Sequence, residues 1–490
     1  MMNLLPHPSS LLILLHLLVV VGFSIRVIMQ RPATGVALAW LFFIAAVPLA
    51  GSIAYLLVGE KRIPPERKQR LARLRESYAD LVAVLSKEKL SEVDWDRHPQ
   101  EAEEMDQLGR RLVGLPTVSG STGRLFSETE LSLQVIAGDV DAARYSVLME
   151  FYIWNEGGLA DEVLDAVIRA ARRGVVCRLL IDELGASAWW KKSEQPGRLR
   201  EAGVYLQAAL PVGIFRTIFG RNDVRLHRKI VIIDGEIAWT GSMNMVDPRY
   251  FKQDANVGEW VDAMVRVEGA IVTPLALTMI GDWTLETGES VEEIAVGANI
   301  GVTPAKGGDG DAQIVPSGPG QTDDGLLQML LATIGAAREE LILTTPYFVP
   351  DDSLLRAMRG AAARGVAVSM IVPEKVDSLL TRYASRSFYD ELMDCGVKIY
   401  LYRKGLLHTK SITADRRISM FGTVNLDMRS LWINYEVAAF VYGREFGEHL
   451  QKLQQSYIDD SDLLIAEEWA KRSDWQRFLE NTFRLTSPVL

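Results

Sequence analysis

The sequence predicts an α/β protein of two pseudo-repeated α/β sandwich halves that share one active site, preceded by an N-terminal two-helix transmembrane hairpin. Three observations predict it. A frame occurs twice with identical internal spacing over 18 residues: His227, Lys229, Asp234, Gly241, Ser242, Asn244, and again His408, Lys410, Asp415, Gly422, Thr423, Asn425. The chain around each frame is echoed around the other. Two long apolar blocks lie near the amino terminus.

Taken in order, Leu11 to Ile25 is uncharged, and Thr34 to Leu57 carries no charged residue over 24 positions. The second block is long enough for a hydrocarbon core of about 30 Å. The first is completed if Arg26 snorkels to the interface. Gln30-Arg31-Pro32 then forms the turn of the hairpin, assigned to residues 1–60. A cleavable signal is disfavoured because no Lys or Arg precedes Leu11 and a second span follows at once. Seven Lys or Arg residues between Lys61 and Arg75 place everything after Leu57 in the cytoplasm. Residues 61–105 are expected to form a basic juxtamembrane amphipathic helix and a linker. Leu71, Leu74, Tyr78, Leu81 and Leu85 recur at helical spacing there, to lie on anionic headgroups or to pack on the catalytic domain.

Beyond this the chain repeats itself. Tyr152-Ile153, the run Ala170 to Val175 and the run Arg178 to Ile181 return as Tyr347-Phe348, Ala361 to Val366 and Ser369 to Val372. Each half reads helix, strand, helix, strand, then a hairpin carrying the frame. The halves are assigned to 106–296 and 312–490, joined by a Gly-rich linker at 297–311. Neither half holds a complete site, so His227 and His408 must meet about a pseudo-twofold axis. The first half carries an insertion before its frame: 24 positions separate Gly203 from His227, against 12 from Gly396 to His408. That insertion includes the apolar run Leu210 to Phe219, expected either to pack in the core or to dip into a membrane.

Each histidine and lysine lie two apart on a strand and so share one face. Asp234 and Asp415 have the opposite parity, and Asp234-Gly235 reads as a hairpin turn, which favours a structural role. Imidazole serves as nucleophile or proton carrier near neutral pH, and an adjacent ammonium favours an anionic substrate. Two facing pairs would clamp a phosphodiester, with Ser242, Asn244, Thr423 and Asn425 as neutral donors to its oxygens. A net charge of −10 argues against nucleic acid as partner. Two cysteines, Cys177 and Cys395, provide neither a disulfide framework nor a metal site, and no metal is expected.

The doubled frame resembles the signature of the phospholipase D superfamily. The segments Gly241 to Asp254, Thr345 to Pro350 and Gly422 to Ser430 resemble bacterial cardiolipin synthases, and the likeness covers nearly the whole chain. The resemblance implies phosphatidyl transfer between two phosphatidylglycerol molecules, giving cardiolipin and glycerol through a phosphohistidine intermediate without metal or cofactor. It implies a multi-pass protein of the bacterial cytoplasmic (inner) membrane, with the bilayer as partner and a homo-oligomer allowed. The catalytic set would be His227, Lys229, Asp234, His408, Lys410 and Asp415, with His227 as nucleophile and His408 as acid and base. The family also places a carboxylate behind each histidine: Glu436 in the second half and, in the first, Asp262, with Glu259 as rival. A membrane-anchored hydrolytic phospholipase D and an inactive membrane scaffold are the competing readings.

Overall fold

The computed structural model describes residues 8–31, 34–59, 64–213, 223–308, 310–322, 324–485 and 487. It divides into two compact units, the first of Met1–Lys68 with Val212–Val224 and the second of Gln69–Pro211 with Arg225–Leu490. Of the insertion at Leu210 to Phe219, only Leu210 to Gly213 falls within the described residues.

The amino-terminal unit holds α1 (Pro8–Met29), α2 (Thr34–Ala46) and α3 (Pro48–Ala54). Its interior is small: Val27, Ile44 and Tyr55 are buried, and the rings of Phe23 and Trp40 meet Tyr55 edge-on. Its outside is apolar, with Leu18, Ile28, Leu38, Phe42 and Leu49 each at least 60% exposed. The second apolar block is not one continuous helix. Pro48 lacks an N–H and clashes with a preceding helical turn, so the block breaks after Ala46 and restarts. Among the described residues no helix is long and apolar enough to cross a membrane.

The helix α4 (Pro65–Lys87) enters the second unit at Gln69 and α5 (Gln100–Val113) follows; the unit then runs β1 (Val118–Phe126), α6 (Thr129–Ala142), β2 (Ser146–Phe151), α7 (Leu159–Arg172), β3 (Val176–Asp182), β4 (Tyr205–Ala209), β5 (Ile230–Ile233), β6 (Ile237–Gly241), β7 (Met264–Glu268) and α8 (Val272–Thr287). The second half follows with β8 (Gly310–Ser317), α9 (Gly325–Ala336), β9 (Glu340–Thr344), α10 (Asp352–Ala363), β10 (Ala367–Pro373), β11 (Lys398–Tyr402), β12 (Ser411–Ala414), β13 (Ile418–Gly422), β14 (Glu436–Tyr442), α11 (Arg444–Asp459) and β15 (Ser461–Leu463). All fifteen strands join one mixed sheet in the order β15-β11-β10-β9-β12-β13-β14-β8-β1-β7-β6-β5-β2-β3-β4. Apart from β15, that order reads outward identically from the central antiparallel pair of β8 and β1. The sequence repeat is thus a twofold repeat in space.

The echoed runs explain the crossovers. Gly174 and Gly365, both at φ 92, end α7 and α10 in the left-handed conformation that glycine adopts without strain, and the chain turns at once into β3 and β10. Val163, Leu164 and Val167 of α7, and Leu354, Leu355 and Met358 of α10, bury equivalent stripes against the sheet. From Gln69 onward α4 takes the packing alternative. Leu71, Leu74, Tyr78 and Leu85 are buried, and Leu74 sits where a Cβ on Gly281 of α8 would collide. Ala102 and Met105 of α5 lie in the core of the second half, so the expected boundary at 105/106 falls inside this helix. The expected linker ends early, since Gly310 and Asp311 already belong to β8.

Asp234 and Asp415 do not enter the site. Asp234 turns β5 into β6 at φ 54 and accepts from the N–H groups of Arg144, Tyr145 and Ser146 at 2.7 to 2.9 Å. Asp415 does the same between β12 and β13, accepting from Arg338, Glu339 and Glu340. Each is the first residue of its hairpin turn, at the far end of its strand from the lysine. Where the resemblance implied a catalytic role, Asp234 and Asp415 instead pin the hairpin to the strand beside it. Asp234→Ala and Asp415→Ala should each lower the melting temperature, at a cost of about 2 kcal/mol for the lost charge-assisted bonds. Turnover per folded molecule should stay within about twofold of wild type; a large fall at unchanged melting temperature would restore them to the chemistry.

Candidate active site

The site is made by two short parallel contacts between the halves. Leu226 bridges Tyr435, and Leu406-Leu407 pair with Trp260-Val261. His227 N–H donates to Tyr435 O at 2.9 Å, and His408 N–H to Val261 O at 2.8 Å. Parallel pairing puts the next residue of each strand beside the next of its partner, so His227 comes to Glu436 and His408 to Asp262. The rings follow. His227 Nδ1 lies 2.9 Å from the Glu436 carboxylate, and His408 Nδ1 lies 2.7 Å from Asp262 Oδ1. Each carboxylate therefore serves the histidine of the other half, which corrects a pairing within halves. Glu259, the rival to Asp262, is exposed and contributes only its carbonyl, which accepts from Leu406 N–H.

The other frame positions now have physical roles. Gly241 and Gly422 allow close approach: a Cβ on either would meet the carbonyl of Ala263 or Val437 at 2.4 or 2.3 Å. The residue after each glycine donates its backbone N–H to that same carbonyl at 3.0 Å. Ser242 Oγ donates to Asp262 at 2.6 Å and Thr423 Oγ1 to Glu436 at 2.5 Å. These hydroxyls hold the carboxylates, where neutral donors to phosphate were expected. Asn244 accepts from Ile153 N–H through Oδ1, and among the described residues its buried Nδ2 has no hydrogen-bond partner. It remains a donor for a substrate oxygen. Asn425 instead hydrogen-bonds Asp427, which burial pushes up to about 6. Lys229 and Lys410, fully buried, each reach back 2.5 Å to the carbonyl of their own histidine.

Several residues near the histidines lie outside the two frames. The Tyr152 ring stands edge-on to His227 at 5.1 Å, and the Trp260 ring lies 4.4 Å from His408. Tyr347 donates to Asp377 at 2.7 Å, and Lys252 pairs with the same carboxylate at 2.9 Å. Arg228, between the histidine and lysine of the first frame, is buried beneath the strand. Its guanidinium is ion-paired with Asp282 and donates to the carbonyls of Glu436 and Ser317 at 2.9 Å each. The sequence signals for these were the echo of Tyr152 in Tyr347 and the place of Lys252 and Tyr347 within two of the segments that resemble cardiolipin synthases.

The model of a cardiolipin synthase, phospholipase D-like domain matches residues 136–263 and again 330–457, and the model of a phospholipase D-nuclease N-terminal segment matches 18–60. Cardiolipin synthase A of Serratia proteamaculans (strain 568) is 42% identical over 98% of both chains. That of Yersinia pseudotuberculosis serotype O:1b is 43% identical over 96% of both. The chain belongs to the cardiolipin synthase family. A solved phosphatidylserine synthase of Haemophilus influenzae shares the fold at a TM-score of 0.60 and 13% identity, covering 79% of this chain and all of that one.

Burial dominates the electrostatics of this cardiolipin synthase-family site. It pulls both imidazoles down to about 4, against the upward pull of Glu436 on His227 and of Asp262 on His408. Lys229 and Lys410 push both down further, each acting on the histidine of the other half as well as its own. Burial would raise Glu436 and Asp262, but the partner histidine and the nearby lysine outweigh it and hold both below the usual carboxylate range. Lys229 falls to about 8 and Lys410 well below its ordinary value through burial. At pH 7 both rings are neutral, so each keeps a nucleophilic nitrogen, with Nδ1 engaged and Nε2 left for chemistry.

An anion between the rings favours the imidazolium and raises the pKa. With its six histidines isotope-labelled, the free enzyme should show the rings of His227 and His408 titrating near pH 4. Added inorganic phosphate should move at least one upward. A ring already charged at pH 7 in the free enzyme would contradict this. Glu436→Gln and Asp262→Asn should each reduce kcat by about 10² to 10⁴-fold, the usual range for a proton-transfer group or its orienting partner.

Proposed function

We propose that the two crossed histidine–carboxylate pairs carry out phosphatidyl transfer in two balanced steps. The observation that carries this reading is the crossing itself: the two Nδ1 atoms are fixed and two Nε2 atoms are presented from opposite halves. The enzyme forms cardiolipin by phosphatidyl transfer. In the first step His227 Nε2 attacks the phosphorus of one phosphatidylglycerol. A P–N bond forms, the P–O bond to the headgroup glycerol breaks, and His408, which takes up a proton at Nε2 when the anionic substrate binds, gives that proton to the departing oxygen. In the second, His408 takes the proton from the free hydroxyl of another phosphatidylglycerol. That oxygen attacks the phosphohistidine, the P–N bond breaks, and cardiolipin leaves. The two steps are near mirror images, so one acid–base group serves both. His227 is named as nucleophile because the family resemblance gives it that role.

Lys229 and Lys410 supply positive charge to the non-bridging oxygens in a buried site, where charge is worth more than in water. Activity should therefore survive strong chelators, and a stoichiometric ion whose removal abolishes turnover would overturn this. The amino-terminal hairpin is the anchor in the bacterial inner membrane. Its apolar exterior and the basic run Lys61 to Arg75 support that reading.

Purified enzyme given labelled phosphatidylglycerol should release cardiolipin and glycerol in equal amounts. His227→Ala and His408→Ala should each abolish transfer, since groups acting as a unit are not additive. Phosphatidic acid as the main product would instead make the enzyme a hydrolase.

A further inference from the structure

We propose that the groove between α4 and the carboxyl-terminal end of α5 is a second phospholipid site, distinct from the transfer centre. It takes one anionic glycerophospholipid of the bilayer, with an acyl chain in the groove and the phosphate on Arg75 and Arg111. The groove encloses about 540 Å³, within the range of small-molecule sites. Leu74 and Val82 of α4 and Leu112 and Val113 of α5 give it apolar walls. Arg75 and Arg111 are the charged residues along it, and among the described residues no carboxylate lines it. Arg75 is fixed at the rim by donating to Gly320 O at 2.7 Å, and Arg111 is exposed with no ion pair among the described residues.

The opposite wall depends on glycine. At φ 96, Gly320 is in the left-handed region, and a Cβ there would stand 2.2 Å from Leu71 of α4. The loop is thus held close enough to close the groove. Apolar walls beneath two guanidinium groups match the two ends of an anionic lipid and not a soluble phosphate, which has nothing to place against leucine. The wall loop also reaches the transfer centre. Ser317 O accepts from Arg228, and Pro319 O from the Tyr435 hydroxyl at 3.1 Å. None of the groove residues belongs to either frame, so the site stands apart from the phosphohistidine chemistry.

The test is photolabelling of the full-length enzyme in phosphatidylcholine nanodiscs. The probe is phosphatidic acid with a diazirine on its acyl chain, and adducts are mapped by mass spectrometry. Adducts should appear at residues 71–82 and 111–114, and fall at least about tenfold when the same diazirine is carried by phosphatidylcholine, a loss of roughly 1.4 kcal/mol. Arg75→Glu combined with Arg111→Glu should remove them by charge, and Ala79→Trp by filling the groove while both arginines remain. All three positions are exposed, so these variants keep the fold. Equal labelling by the phosphatidylcholine probe, or adducts persisting in Ala79→Trp, would reduce the feature to general surface attraction and overturn the proposal, as would the absence of adducts.

Discussion

Everything at the centre of this protein depends on two short parallel contacts that cross the pseudo-twofold axis. Leu226 beside Tyr435, and Leu407 beside Val261, set the register that brings His227 to Glu436 and His408 to Asp262. A histidine and its orienting carboxylate within one half could function in isolation. Here they cannot, because each half holds the imidazole of one pair and the carboxylate of the other. The sheet order, read outward from β8 and β1, is the scaffold that makes such an exchange symmetric.

That exchange also accounts for the electrostatics. Two imidazoles, two ammonium groups and two carboxylates are buried together, and the carboxylates offset the lysines. Removing one carboxylate would leave one buried positive charge uncompensated, which is more costly than the loss of one hydrogen bond. Burial keeps the histidines neutral in the free enzyme. An anion bound between the rings favours their protonated form, so substrate binding and proton affinity rise together.

Much of this was legible in the chain. The two frames and their echoes predicted the repeated halves, the hairpins β5–β6 and β12–β13, and a site at their meeting. Parity placed Asp234 and Asp415 away from the lysines, against the catalytic role that the family resemblance implied, and the structure agrees with parity. What the sequence hid was long-range. Pairing of two residues across 146 or 209 positions leaves no local pattern, so the crossing of carboxylates could not be read. Ser242 and Thr423 have the same chemistry whether they face phosphate or carboxylate, and only the positions of Asp262 and Glu436 decide. Arg228 stands between the histidine and lysine of the first frame, where alternation says which face it takes but not that Asp282 and the carbonyl of Glu436 are there to meet it. In the amino-terminal segment hydropathy was a good guide to apolar surface and a poor guide to helix length, since Pro48 counts as one residue in a window but ends a helix.

The central claim is that the pairs are crossed. It is tested most directly by the ring nitrogens of the two histidines, observed by ¹⁵N resonance in Glu436→Gln and Asp262→Asn. Loss of the Glu436 carboxylate should shift Nδ1 of His227 and leave His408 nearly unmoved, and Asp262→Asn should do the reverse. If Glu436→Gln instead disturbs His408 and spares His227, the pairs lie within the halves and the account is wrong.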